Sequence, residues 1–537
     1  MTEQQRSIYR RKASSVAIAA AIACLGGLGS AWAANDLDAP FSEKARNADG
    51  SDTFNTVWVG HISTQGRTIY QTSVHNQLGR VIAYAGHFGG TVLNPMNGKM
   101  EVNGTSIIDV TDPANPVYLK HLPSGGKGGG SRMNRLCDGN DLPKGLKNHI
   151  YLLRESGSDS HEVWDVTTPE NPALVSTPVT GVSVTHKNWW DCKTGLAYIV
   201  VGTNSTSVKP DGWFANGSNQ HVRVFDMSDP ANPKYVMDFG YPGQNPGSDP
   251  KAAPYGVHGP IVVSTLNGVK HDRLYMPYGV DSNGFVQISD IDKMLPPPYG
   301  TGKYVNPASP TNAELLQSQI GYLAMPGYIG GHTTYPIYGV QVKSQVNFEA
   351  SNTLDLLAVT SEETDNRCTG APHLLYLLDI SSAKGSEAAL TTAEQHPWPI
   401  STVTVNDFSG RPNFCSRGTR FGVHSTHENM SNMAFYGTLL TSAWFDAGIR
   451  VTDIRDPYHP TEVAYFIAPV NAETQPSSST VDGISYSQLD VSCDNTEIDD
   501  NNYIYCGDRV GGGLDIVKLT GSAAAILDSA MKSRAQK

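Results

Sequence analysis

The chain has 537 residues with 51 acidic against 39 basic side chains, a formal net charge of −12, and is rich in glycine (53) and proline (33). A surface of that sign, with no basic run, excludes nucleic acid and anionic membrane surfaces as partners. The length admits several domains or one large repeat array.

Residues 1–33 read as a secretory signal peptide. Arg6, Arg10, Arg11 and Lys12 precede an apolar run from Val16 to Leu28, and Ala31-Trp32-Ala33 supplies an A-x-A cleavage site. The apolar run is short and broken by glycines, so no membrane span is expected in the mature chain. Its removal leaves 35 basic against 50 acidic residues, and a periplasmic or secreted protein is expected. Residues 34–66 form an N-terminal segment able to supply a ring-closing strand.

From residue 67 the chain repeats itself. Ser106-Ile-Ile-Asp109-Val-Thr-Asp-Pro-Ala-Asn-Pro116 returns as Val163-Trp-Asp165-Val-Thr-Thr-Pro-Glu-Asn-Pro172. It returns again within His221-Val-Arg-Val-Phe-Asp226-Met-Ser-Asp-Pro-Ala-Asn-Pro233 and in Ile449-Arg-Val-Thr-Asp453-Ile-Arg-Asp-Pro-Tyr-His-Pro460. Weaker copies, without the paired prolines, carry Asp290, Asp379 and, inside its strand, Asp515, which gives seven units whose aspartates are spaced 56 to 89 residues apart. Upstream of each lies a second β-rich run, mostly with tyrosine. Each unit therefore reads as three or four short strands joined by Gly, Asn, Asp and Pro turns.

Seven such units predict an all-β, seven-bladed β-propeller over 67–520, with a C-terminal tail at 521–537. Short helices are expected only at Asn312 to Gln319 and Ser522 to Lys532. The long inserts Asn204–Ser218, Gly240–Pro254, Pro296–Ala324 and Ala383–Arg420 are expected on the rims. The units resemble LVIVD repeats of bacterial and archaeal exported propellers. That resemblance implies the fold and leaves the chemistry open.

After removal of Cys24 with the leader six cysteines remain, an even number that favours disulfides in an exported chain. Cys493 and Cys506 flank a turn-rich stretch and are expected to clip one hairpin. Cys137–Cys192 and Cys368–Cys415 are the pairings expected for the others.

The chemistry is expected where each unit begins. His186, His258, His332 and His424 precede the Asp of their own units by 40, 32, 47 and 29 residues. The first strand of a blade lines the central channel, so four successive blades would each direct one imidazole to the axis. Imidazole ligates Fe, Cu and Zn, and a His-ligated Fe or Cu is the cofactor expected. Glu362, Glu363 and Glu428 are the candidate catalytic or ligand-orienting carboxylates. His75 and His427 are further channel candidates. In outline the arrangement is similar to carotenoid-cleaving oxygenases, which hold iron on four axial histidines, and to the metal-holding propellers of methanethiol oxidases. No stretch of this sequence matches either.

A metal-dependent oxidoreductase acting on a small, apolar substrate is the leading expectation. Trp189, Trp190, Trp444 and Phe445 are available to line its cleft. The rival is a non-catalytic propeller that binds a partner protein or surface polymer through its rim loops. A hydrolase using Glu362 or Glu363 as base is a third reading. His424-Ser-Thr-His427-Glu428 is not H-E-x-x-H, and no Walker, Rossmann, EF-hand or nucleophile-elbow pattern occurs.

Overall fold

The structure is a computed structural model that describes residues 47–535 apart from 183, 203–211, 217–219, 343–352, 371–372, 383–391, 406–413, 418, 433 and 482–483. The expected signal peptide and large parts of two inserts lie outside the described residues. Seven four-stranded antiparallel sheets stand around a ring, with two separate two-stranded hairpins at 91–102 and 477–488. The inner strands of neighbouring blades pack against one another and line the channel. Among the described residues no helix is long and apolar enough to cross a membrane.

The repeated aspartate has a local physical reason. It ends the third strand, and its carboxylate accepts the backbone N–H two residues on. Thr111 donates to Asp109, Thr167 to Asp165, Ser228 to Asp226, Ser381 to Asp379 and Arg455 to Asp453, at 2.8–3.0 Å. This Asx turn redirects the chain toward the outer strand, and the following Asp-Pro closes the turn by the same means. In the first and third blades Asp112 and Asp229 accept from Ala114 and Ala231. At Asp290 the carboxylate instead caps a helix over Ile291–Met294, taking the Lys293 N–H.

The seventh copy is degenerate, with its aspartate inside the strand as the sequence places it. Asp515 lies near the start of the strand Leu514–Leu519, not at its end. Its carboxylate takes the Trp58 indole N–H at 3.0 Å and His61 Nδ1 at 2.9 Å. No third-to-fourth turn is needed there, because the outer strand of the last blade comes from the other end of the chain. Thr56–Ile62 pairs antiparallel with Leu514–Leu519, while Asp52–Phe54 adds an edge strand to the sixth blade beside Thr461–Ile467. The freed C-terminus continues as a helix, Gly521–Ala535.

Blades are joined by apolar clusters between their faces and by a few buried polar clamps. Leu153, Val163, Ala197, Ile199 and Val201 lie in one cluster between the second and third blades. Arg154, fully buried, reaches from the second blade to the carbonyls of Leu122 (2.8 Å) and Pro123 (2.7 Å) in the first, and pairs with Glu162 at 2.8 Å. Arg154→Ala takes the cation from Glu162, which keeps only the neutral donors Ser156 and Trp164, and removes the guanidinium from the Leu122 and Pro123 carbonyls. It is expected to cost about 3–5 kcal/mol, the usual penalty for removing one member of a buried ion pair, as measured by denaturant unfolding.

All three expected disulfides are present: Cys137–Cys192, Cys368–Cys415 and Cys493–Cys506. The last pair joins two adjacent strands of the seventh blade.

Candidate metal centre

Strands within a blade alternate in direction, so the start of each inner strand and the end of each second strand share one mouth of the channel. At this mouth the inner strands carry β-bulges. Ile69 and Thr72 oppose His87 and Ala85, and Thr185 and Asn188 oppose Val201 and Ile199. A third irregularity falls at Asp494. An extra residue in a bulge re-aims its side chain, and here it turns Tyr70, His186 and Asp494 out of the regular alternation. His258 and His332 lie just ahead of the inner strands Ile261–Leu266 and Thr333–Gln341. His424 begins a short stretch bonded to the sixth blade, its N–H donating to Ala443 O.

The structure brings His186, His258, His332 and His424 together. Successive rings stand 4.6, 3.9 and 4.3 Å apart between centroids. His186 Nε2 is 3.0 Å from His258 Nε2. Tyr70 Oη lies 3.2 Å from His186 Nε2 and 3.3 Å from His332 Nε2. Glu362 completes the group, with its oxygens 3.8 Å from His332 Nε2 and 3.7 Å from His424 Nε2. One ligand atom from each of His258, His332 and Glu362 falls within 4.8 Å of the other two.

The outer nitrogens fix which face is available. His258 Nδ1 donates to the His332 carbonyl (3.2 Å), and His424 Nδ1 donates to the Asp494 carbonyl. His332 Nδ1 bonds Thr333 Oγ1 at 2.8 Å. A ring that spends its Nδ1–H on a carbonyl presents Nε2 as a lone pair, the form in which histidine binds metals. His424 Nε2 is buried with no hydrogen-bond partner among the described residues. Burial, with Lys187 adding at each ring and neighbouring imidazoles adding at His186, His332 and His424, holds all four rings well below the usual histidine range, so they are neutral.

Ion pairs surround the cluster: Arg132 with Glu155 (2.6 Å), Arg420 with Glu362 (2.7 Å) and Arg509 with Asp494 (2.8 Å). Burial pushes the Asp494 carboxyl up to about 6, against the pull of Arg509. Phe88 packs on Tyr70, and Phe445 packs on His424, with Arg509 4.5 Å over the Phe88 ring. Phe445 has a left-handed backbone (φ 46°), held there by paired N–H···O bonds with Cys493 across the blade boundary. Strain of this kind persists only where the surroundings enforce it.

The other expected residues lie elsewhere. Glu363, next to Glu362, turns away: it accepts the Asp365 N–H at 2.7 Å and lies 4.0 Å from His373. Burial raises its carboxyl to about 7. Glu428 stands one layer deeper in the channel, paired with Arg135 and, at 3.6 Å, with Lys187, which hold it down at about 2 despite burial. It connects toward the imidazoles through Lys187, whose Nζ is 3.4 Å from Thr333 Oγ1. Gln71, second in the bulge after Tyr70 as Lys187 is after His186, also donates to Glu428 (3.3 Å). His427 points into the blade, bonding Thr441 Oγ1 at 2.9 Å and packing on Tyr335. His75 lines the opposite mouth together with Trp189 and Trp190. Trp444 is core, donating to Ser442 Oγ at 2.9 Å.

Tyr70 is the group that the sequence reading missed, because histidine was the only marker followed. The usable signal was positional: Ile69-Tyr70 opens the first unit as His186 nearly opens the third. The loop bearing Glu362 is tied by Cys368–Cys415 to the segment that leads into Arg420 and His424. Replacing both cysteines by serine frees a 47-residue separation. The expected loss in denaturant unfolding is about 4 kcal/mol by the chain-entropy account.

No family model and no curated protein matches this chain. Solved structures similar to it include a Dos1 propeller, at 12% identity and TM-score 0.42, covering 87% of this chain and 96% of that one. Saccharomyces cerevisiae Sqt1, at 8% identity and TM-score 0.42, covers 87% of this chain and 100% of that chain. With no family shown, the reading of the chain rests on its own blades and on the side chains they bring to the axis.

Proposed function

We propose that His186, His258, His332 and His424 hold one transition-metal ion, iron or copper, and that the protein is an exported metal-dependent oxidoreductase acting on a small substrate. The observation that carries this reading is the lone pair of His424 Nε2, buried with no hydrogen-bond partner among the described residues and turned toward Glu362 and its neighbouring imidazoles. A buried unsatisfied acceptor costs about 1–3 kcal/mol, and two facing Nε2 atoms at 3.0 Å call for a shared cation or proton. The donor set is imidazole nitrogen with one carboxylate, which suits Fe, Cu and Zn and does not suit Ca or Mg.

A metal held there would supply Lewis-acid and one-electron chemistry. The chain's own groups have separate tasks. Carbonyl acceptors at His332 and Asp494 orient two rings. Glu362, steadied by Arg420, stands beside the ligand face as a fifth donor, through oxygen, or as a proton acceptor. Tyr70 holds a phenolic proton within reach of two Nε2 atoms, and burial keeps that phenol protonated. Phe88 and Phe445 give the mouth apolar walls that limit water.

The rival reading, a propeller that docks a partner through its rim, draws on the hairpin at 91–102, where Leu93, Met96 and Met100 are exposed. Elemental analysis of natively exported protein separates the two. About one iron or copper per chain is expected. Metal-free protein that still captures its partner would favour docking and overturn the enzyme reading.

A further inference from the structure

The mouth opposite the histidines holds a cavity of about 310 Å³, at the lower end of the roughly 300–1,000 Å³ typical of small-molecule sites. None of the four clustered histidines lines it. Gln71, Lys187, Arg135 and Glu428 stand between the two. Its walls are of two kinds: Trp189 and Trp190 present indole surface, while Glu428, Asn429, Glu497 and Asp500 present carboxyl and amide groups.

Two of these groups are short of partners. Glu497 is 6% exposed, and its Oε1 accepts the N–H groups of Ile498 (2.8 Å) and Asn429 (3.3 Å). Its Oε2 has no hydrogen bond among the described residues. The Trp190 indole N–H, on a side chain 4% exposed, has no partner either. A buried N–H left this way is uncommon in native proteins and calls for an explanation, while the unbonded Oε2 of Glu497 stays open to solvent.

We propose that this mouth is a binding site for a small, neutral, hydroxyl-rich molecule, a single sugar ring or a comparable polyol. The charges in the wall select against the other classes. Arg135 already lies 4.7 Å over the Trp189 ring and pairs with Glu428, so the protein itself fills the cation position. An anion would face Asp500 and an ionised Glu428. A purely apolar ligand would leave Glu497 Oε2 unsatisfied at the cost of desolvating it. A hydroxyl both donates and accepts, so one ring can serve Glu428 and Glu497 while its C–H face meets indole. Burial raises the Glu497 carboxyl to about 8, so near neutral pH it also has a proton to donate.

The test uses metal-free full-length protein, which keeps it independent of the metal proposal. Methyl β-D-glucoside, methyl β-D-galactoside and N-acetylglucosamine are titrated separately against tryptophan fluorescence, with saturation-transfer NMR as a second readout. At least one of the three is expected to saturate both signals, and Glu497→Gln is expected to weaken that binding ten-fold or more with a melting temperature no lower than that of the parent protein. If that variant fails to fold, Trp189→Phe in its place is expected to cut the fluorescence response to the same sugar. No saturation by any of the three up to about 50 mM, beyond the range of a specific site, overturns the proposal. So does saturation by putrescine or inorganic phosphate in their place, which would assign the cavity to a cation or an anion.

Discussion

Replacing His258 and His424 together by alanine is expected to take the bound iron or copper from about one per chain to less than a tenth, measured by elemental analysis after dialysis. The two rings are the ones whose Nδ1 atoms donate to backbone carbonyls, His258 to His332 and His424 to Asp494. Their Nε2 lone pairs are therefore committed to the channel. Loss of an outer partner of a metal ligand costs about 10–100-fold in affinity, and loss of two ligands outright costs more. His75→Ala is the control, because His75 belongs to the opposite mouth. It is expected to leave the metal content unchanged. If instead both variants lose metal equally, the cluster is not the holder.

The second large effect is on stability against pH in the metal-free protein, which is expected to be most stable near pH 6.5. His161 and His427 are pushed down to about 3 by burial, with Arg132 adding to the shift at His161. Burial also holds His87 and the four clustered histidines well below the usual histidine range. As pH falls below 6.5 the unfolded chain takes up protons that the folded chain refuses. Each such histidine then removes about 1.4 kcal/mol of stability per pH unit, until its folded value is reached. Glu428, lowered to about 2, adds to this loss below the usual carboxylate range.

Carboxyls with raised values act oppositely. Glu497 at about 8, and Glu363 and Asp508 at about 7, stay protonated when folded and ionise when unfolded, so they lose stability as pH rises toward those values. The lowered histidines outnumber the raised carboxyls, so the acid side is expected to be steeper. Melting temperatures from pH 4.5 to 8.5 check this. A flat profile from 4.5 to 6.5 would mean that the histidines are not buried and neutral.

Much of the fold was legible because the repeat is a local device. An Asx turn at Asp109, Asp165 or Asp226 needs only its own neighbours, so it leaves the same letters each time. Asp515 differs for the same reason: the letters of the turn are missing after it, because residues 56–62 complete the last blade and no turn is needed there. The four imidazoles were legible as recurrences at unit starts. Glu362 and Glu363 were not separable, since adjacent residues after a strand face opposite ways and only the tertiary setting says which meets the axis. Glu428 looked like part of the dense His424–Glu428 segment. In the folded chain that segment runs down the channel, so four residues of extended chain carry Glu428 to another layer. Tyr70 carried no letter in common with the histidines whose place it shares.

X-ray absorption at the metal edge of natively exported protein tests the central claim most directly. The expected result is a first shell of nitrogen and oxygen donors at about 2.0–2.2 Å with the outer-shell scattering of several imidazoles, lost in the His258→Ala/His424→Ala protein. A shell dominated by sulfur, a shell without imidazole scattering, or no metal edge at all would contradict it.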